Sequence, residues 1–583
     1  NTFAVQYINV YSPFYDLSNN NFNTTAEYGF TNNFEADWRA IDELRIRAKI
    51  GLTKANEQLK KFSSPYNVEY IGKEDDEKGL YTESNKNTWN YDLDLSATYG
   101  KLLGKYHQVN AVAGIRLAQT SYNLGQYAMQ GFIDDEFSNP LFAQDYDISQ
   151  RVYQEIKRRT ASYYLNASYS FDNRYLLDVS WRADGASVFG VNKLFTNTWS
   201  VGLGWNLHNE AFMKNLKWID ILKIRGSIGN PGNQNFNDYI SMKIYEYNNH
   251  HINPWGVSTI IKTFGNSDLK WQKTLDRNIG FDLVVLDNRL RFNVDYFSKK
   301  TDPLLVYMNL PPSTGSTSIP TNVGGQLTTG YTLVANYQIF KKRELMWSVN
   351  TTLRHLHSEY RNVSQYLSQF NELNRSKNLI RYYDGGSPSD LWAVRSAGID
   401  AATGREIFIR KDGTQTFTHS YDDEVVVGNT EPDVEGIIGT SFYYKGFSAS
   451  VNLRYRVGGQ IFMSALYNKV ENISVESAHY NQDKRALYDR WKQPGDIAKF
   501  KAISTSSSTP ISSRFVSDNN ILSGESVSIG YETQASWLQR IGASSITVRA
   551  YMNDFFRVST VKEERGIDYP FARSVSMSLG LRF

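Results

Sequence analysis

The stretch YYLNASYSFDNRYLLDVSW, Tyr163 to Trp181, decides the fold. Tyr163, Leu165, Ala167, Tyr169 and Phe171 alternate with Asn166, Ser168 and Ser170; after Asp172-Asn173-Arg174 the alternation resumes with Tyr175, Leu177, Val179 and Trp181. Successive side chains of a strand point to opposite faces, so this period of two predicts a pair of strands with one apolar face each. Asp and Asn tolerate left-handed backbone and bond their own main chain, which makes the intervening triplet a tight hairpin turn.

The pattern recurs along the chain. The same triplet, Asp287-Asn288-Arg289, separates Ile279, Phe281, Leu283 and Val285 from Leu290, Phe292, Val294 and Tyr296. Tyr91 to Tyr99, Val109 to Leu117, Trp199 to Leu207, Ala449 to Tyr455 and Ile546 to Met552 alternate in the same way. Roughly sixteen to eighteen such strands are predicted, many about ten residues long, with almost no helical periodicity. The expected fold class is all-β.

Composition narrows the setting. Mean hydropathy is -0.48, and no apolar run approaches the ~20 residues that a spanning helix needs. A membrane β-barrel escapes that test, because its strands are only half apolar. Aromatic residues make up 14%, and they gather at strand ends such as Tyr91, Tyr99, Tyr163, Phe171, Tyr175 and Trp181, where an interfacial girdle would sit. Basic and acidic residues number 63 and 60, a balance that argues for no nucleic acid or other polyanionic partner. The absence of cysteine removes disulfides, thiolate metal sites and thiol nucleophiles.

The connections separate a barrel from a soluble sandwich. Tight turns alternate with long polar stretches, Glu57 to Lys86, Met129 to Gln150, Ser364 to Pro388 and Gly459 to Asn519. Short turns at one end and long loops at the other describe an outer-membrane barrel. Its polar face is then the lumen, holding Arg45, Arg47, Lys49, Arg182, Arg454 and Arg549 away from lipid. A lumen of charges mixed with Ser, Asn and Gly suits neutral or mixed-charge solutes. The last strand, RSVSMSLGLRF, sets Val575, Met577, Leu579, Leu581 and Phe583 on the lipid face.

Several segments resemble the SusC/RagA family of TonB-dependent outer-membrane transporters of Bacteroidetes-type bacteria. DNRYLLDVSWRADGASVFG (172–190), LKIRGSIGNPGNQ (222–234) and LKWQKTLDRNIGFDLVVLDNRLRFNVDYFSKKTDPLL (269–305) are similar to family stretches. AGIDAATGREIFIRKDG (397–413), VGNTEPDVEGIIGTSFYYKGFSASVNLRYRVGGQIF (427–462), SSRFVSDNNILSGESVSIGYE (512–532) and the terminal strand follow in the family's order. Val188 stands where the family usually has Arg, and NNILSGESVS lacks a basic residue before its strand. The resemblance implies most of a 22-stranded barrel over residues 1–583, with the plug domain, the TonB-box segment and the first strands expected elsewhere. Alone, the chain is expected not to close. Phe583 resembles the terminal signal read by the outer-membrane assembly machinery.

The implied function is active import of oligosaccharides, or in some members peptides. A SusD-like lipoprotein acts as lid, and TonB with ExbB and ExbD acts through the plug. A passive porin is the alternative from another class, and a surface adhesin a third. Motifs for catalysis are absent: no GxSxG, Walker A loop, HExxH or EF-hand pattern occurs. Asp75-Asp76-Glu77 and Asp422-Asp423-Glu424 offer oxygens of the kind calcium takes, but read first as solvated acidic loop tips, and no cofactor or metal is expected. Candidate substrate contacts are loop aromatics with polar neighbours: Tyr382, Tyr383, Trp392 and Arg395 around Gly385-Gly386-Ser387-Pro388, and His250, His251 and Trp255 on another loop.

Overall fold

A computed structural model describes residues 14–190, 192, 194–233, 239–254, 256–316, 318–474, 482–504, 507–561 and 573–583. The fold is all-β and antiparallel, as the alternation requires. The chain divides into two compact units, Asn1–Tyr169 with Val179–Trp199 and Asn233–Trp271, and Ser170–Asp178 with Ser200–Gly232 and Gln272–Phe583.

In the first unit, Phe22–Ile41, Leu44–Ser63, Leu80–Leu103 and His107–Gln130 form a continuous ladder, joined by the Val152–Phe171 strand. These strands are long: the third and fourth each have 24 residues, paired without a shift from Leu80↔Gln130 to Leu103↔His107. About ten residues suffice to cross a bilayer, so the strands run well past the apolar band. This is why Glu57 and Lys86, expected at the ends of a loop, lie opposite each other within a ladder. The extension is held by polar cross-strand pairs, Asn56 Nδ2 donating to Asn87 at 2.8 Å and Gln58 Nε2 to Glu83 at 2.8 Å.

The second unit carries the other ladder. From Ser200–Asn206 it passes through Ile219–Gly229, Gln272–Val285, Leu290–Thr301, Gly325–Lys341, Leu345–Arg361, Val434–Tyr444, Phe447–Val457, Ile521–Thr533 and Ser545–Ser559 to Val575–Arg582. The tight turns are those read from sequence. Asp172 and Asn173 sit at φ +50° and +51°, and Asp287 and Asn288 at +56° and +61°. The long connections fold into layers of their own. Ser364–Pro388 opens with an α-helix, Ser364–Asn374, and the connections also hold a four-stranded sheet of Asp390–Ile399, Glu406–Ile409, Gln415–Thr416 and Glu424–Asn429.

Burial is inverted relative to a water-soluble sandwich. Large apolar side chains on the spanning strands are exposed, among them Leu93, Leu95, Leu165, Leu203, Ile279, Val575, Met577, Leu579 and Leu581. The apolar clusters instead lie chiefly in and around the connections, such as Tyr360 and Val363 with Leu367 of the helix, and Val470, Phe500 and Phe515. A barrel whose outer face meets hydrocarbon has no water to hide that face from.

The stretches that prompted the family resemblance have structural work. Phe189 stacks on Trp271, centroids 4.5 Å apart, and a Cβ at Gly190 would lie 1.9 Å from the Ser267 carbonyl oxygen, so only glycine lets the two segments meet.

Candidate functional site

Strand parity sorts the predicted aromatic cluster. On Asp390–Ile399, Leu391 and Ala393 face a packed layer with Leu379, Val427 and Phe462, which leaves Trp392 on the opposite face. Trp392 pairs in register with Val426, and its ring meets Tyr383 at a centroid distance of 4.9 Å and a tilt of 44°. These rings form one wall of a cleft of about 430 Å³ completed by Arg375, Lys411, Tyr421, Glu424, Val425 and Val426.

The floor is electrostatically closed. Arg381 is fully buried and grips Glu424 with two bonds, Nη2 to Oε1 at 2.6 Å and Nε to Oε2 at 3.1 Å. Its remaining donors reach the carbonyl oxygens of Asn378, Ile380 and Arg375. At the rim, Arg375 Nη1 lies 3.1 Å from Glu372 and 3.2 Å from the exposed Asp422. Ser420 Oγ accepts from the Asp422 N–H, and Asp423 accepts from the Lys411 N–H at 3.1 Å, so the turn that delivers Tyr421 is tied down at both ends.

The cleft has donors in excess. Trp392 Nε1 and Arg375 Nε are buried without an acceptor among the described residues. Lys411 is exposed, and its ammonium has no carboxylate partner among them. Burial pushes the Tyr421 phenol above its ordinary pKa and keeps it protonated. Of the acceptors, both Glu424 oxygens are committed to Arg381, and Asp422 gives Oδ1 to Arg375. Behind Tyr421, His419 packs edge-on at 4.6 Å, its Nε2 buried without a partner among the described residues, and burial holds its imidazole below the usual value against the pull of Glu406.

The structure brings together Tyr383 and Trp392 of the seven residues proposed from sequence. Tyr382 turns the other way, packing on Tyr360 at 5.3 Å and Phe370 at 5.4 Å, with its backbone clamped by both ends of the Asn371 amide. Arg395 reaches across its own sheet to the Arg410 carbonyl at 2.7 Å and does not line the cleft. His250 and His251 fall on the strand Ile244–Asn253, where only their backbone is described, and Trp255 lies outside the described residues. The residues missed were Arg375, Lys411, Tyr421, Glu424, Val425 and Val426. The only signal was the acidic run Asp422-Asp423-Glu424, whose members are engaged by Arg375, Lys411 and Arg381. Among the described residues no cluster has the makings of a metal site.

Comparison with known proteins matches residues 2–473 to the family model described as TonB dependent receptor-like, beta-barrel. The TonB-dependent receptor P39 of Formosa agariphila is 23% identical, over 88% of this chain and 53% of the relative. The TonB-dependent receptor SusC of Bacteroides thetaiotaomicron is 24% identical, over 95% of this chain and 55% of the relative. The solved structure of the RagAB peptide transporter superposes with a TM-score of 0.81 at 20% identity, covering 93% of this chain and 59% of its own, and shares the fold. The chain spans about half the length of the curated relatives it matches.

Proposed function

The chain belongs to the TonB-dependent receptor-like β-barrel family, and on that premise we propose that it forms barrel wall and outer loops of an outer-membrane importer of the SusC/RagA type, driven by TonB. The observation that carries the reading is the two-faced wall. Val575, Met577 and Leu579 are exposed on one face of their strand, while polar side chains such as Arg225, Asp282 and Asp295 bond to one another along the ladder. That division fits strands between hydrocarbon and a wet lumen. The energised steps belong to the whole protein. TonB, with ExbB and ExbD, would act through the plug, and a SusD-like lipoprotein would cover the outer loops. No chemical conversion is part of the proposal.

For the substrate class we favour oligosaccharides. Tyr383 and Trp392 offer a bent aromatic platform of the kind that receives the C–H face of a sugar ring, with Arg375 and Lys411 beside it and an indole N–H that has no acceptor among the described residues. A cleft of spare donors and spent acceptors suits hydroxyls, which can rotate to accept. A peptide main chain brings a fixed N–H donor with every carbonyl acceptor, whereas a hydroxyl can accept from the cleft and turn its one hydrogen to solvent. The peptide reading stands second, on the fold shared with a peptide transporter.

The test is uptake of labelled oligosaccharides by cells carrying the full-length transporter, with and without TonB. Uptake that persists without TonB, or a stable large conductance of the purified complex in planar bilayers, would replace active import with a passive porin. Uptake of peptides but not sugars would reverse the choice of substrate.

A further inference from the structure

The outward face of the first unit changes character at one level. On Leu44–Ser63 the outward positions run Ile46, Ala48, Ile50 and Leu52, and the next is Lys54. On Leu80–Leu103 they run Tyr99, Ala97, Leu95, Leu93 and Tyr91, and the next is Trp89. Register places these transitions side by side: Leu52 opposite Tyr91, Lys54 opposite Trp89, Tyr91 opposite Gln119.

Side chains knit that level together across four strands. Lys54 Nζ stands 5.0 Å from the Trp89 ring centroid. The Tyr91 hydroxyl donates to Gln119 Oε1 at 2.8 Å, and Arg159 Nε, from Val152–Phe171, donates to the same oxygen at 2.7 Å. Three strand spacings, about 14 Å, separate the backbones that carry Lys54 and Arg159. Lys54, Trp89, Tyr91 and Arg159 are all exposed, and neither cation has a carboxylate partner among the described residues. The nearest outward carboxylates are occupied: Glu155 faces Lys157 at 3.8 Å, and Glu83 accepts from Gln58, Tyr81 and Asn85.

We propose that Lys54, Trp89, Tyr91 and Arg159 form a binding site for the phosphate-bearing headgroup of an outer-leaflet lipid, whose acyl chains lie on Leu52, Leu93 and Leu117. The patch is continuous with the apolar face immediately below it, at the end of the strands that carries the long connections. Trp and Tyr take the headgroup level of a bilayer. The two cations reach toward each other over the intervening strands, Lys54 to Trp89 and Arg159 to Gln119, and supply the charge-assisted donors a phosphate accepts, Arg159 as a fork and Lys54 as a point charge. A free phosphate would meet the same cations but gain nothing from the apolar face.

The full-length transporter, purified in a mild detergent with its partners, is titrated with phosphatidylglycerol or with neutral diacylglycerol of the same chains, and bound lipid is read by native mass spectrometry. Phosphatidylglycerol should give a defined adduct that falls roughly tenfold or more in the double variant Lys54→Gln/Arg159→Gln. Diacylglycerol should bind weakly, and millimolar inorganic phosphate should not displace the phospholipid. The charge-preserving pair Lys54→Arg/Arg159→Lys should restore the adduct, and heat-modifiable mobility on gels should show both variants folded. Equal adducts in wild type and the Gln variant, equal binding of the neutral lipid, or displacement by inorganic phosphate each overturns the proposal, the last in favour of a simple anion site.

Discussion

Arg381 and Glu424 are locked together beneath the Tyr383–Trp392 wall, the guanidinium fully buried and the carboxylate nearly so, 2.6 Å apart. Two charges removed from water are tolerable only while each neutralises the other. The pair joins the segment after the helix to the edge strand of the four-stranded sheet, and so holds the cleft's two sides in register.

Replacing Arg381 alone with Met is expected to cost this layer about 3–5 kcal/mol, because Glu424 is left buried and unpaired. Replacing both, Arg381→Met with Glu424→Leu, should cost much less. Hydrogen exchange over 375–429 reads the difference, while heat-modifiable mobility of the barrel stays unchanged in both. Equal exchange in the single and double variants would contradict the assignment.

Trp392→Ala should abolish the contribution of the cleft to uptake, whereas Trp392→Phe keeps a stacking face and loses only the indole N–H. The Phe variant is expected to raise the half-saturating oligosaccharide concentration by roughly five- to tenfold, the worth of one hydrogen bond of about 1 kcal/mol. Tyr382→Ala, which strips the packing on Tyr360 and Phe370, should loosen the Ser364–Asn374 helix in hydrogen exchange instead.

Gly280→Ala tests the ionic wall of the second unit. Arg225 bonds Asp282 at 3.1 Å and Asp295 at 2.7 Å, and a Cβ at Gly280 would come 2.5 Å from Asp295 Oδ1 and 2.6 Å from Arg225 Cζ. The methyl group must push the guanidinium off its carboxylates, at an expected cost of about 1–3 kcal/mol. The temperature at which the folded band converts on gels should fall. Gly29→Ala, with nothing within 4 Å of the added atom, is the control and should not shift it.

His419 predicts a pH dependence. Burial depresses its folded pKa, so the packed layer favours the neutral ring. Below the unfolded value of about 6.5 the opened segment takes up a proton that the packed one resists. The stability contributed by the neutral ring is present above that value and declines as pH falls through the folded pKa. Hydrogen-exchange protection of 417–424, taken relative to the intrinsic amide rate at each pH, should fall between pH 7 and pH 5, and His419→Gln should flatten the profile.

Much of the fold was legible because its determinants are local. The triplets at Asp172 and Asp287 carry positive φ in the structure as their residue types demand. Loop boundaries were less legible, since Glu57 and Lys86 are polar on both counts, and a strand above the membrane no longer needs an apolar face. Within the site, Tyr382 and Tyr383 were indistinguishable as neighbours in sequence. Extended backbone sent one ring to the helix and the other to the cleft.

The sequence by itself determined the alternation, the hairpins, the lipid-facing side of the spanning strands, and the presence of aromatic residues in a long outer connection. Each follows from interactions within a few residues or across one turn. Only the tertiary structure decided that Arg375, Lys411, Tyr421 and Glu424 converge on Tyr383 and Trp392, and that Arg381 spends both oxygens of Glu424. These groups come from separate segments, and what places them together is the packing of a helix, a four-stranded sheet and a buried ion pair, none of which leaves a periodic trace along the chain.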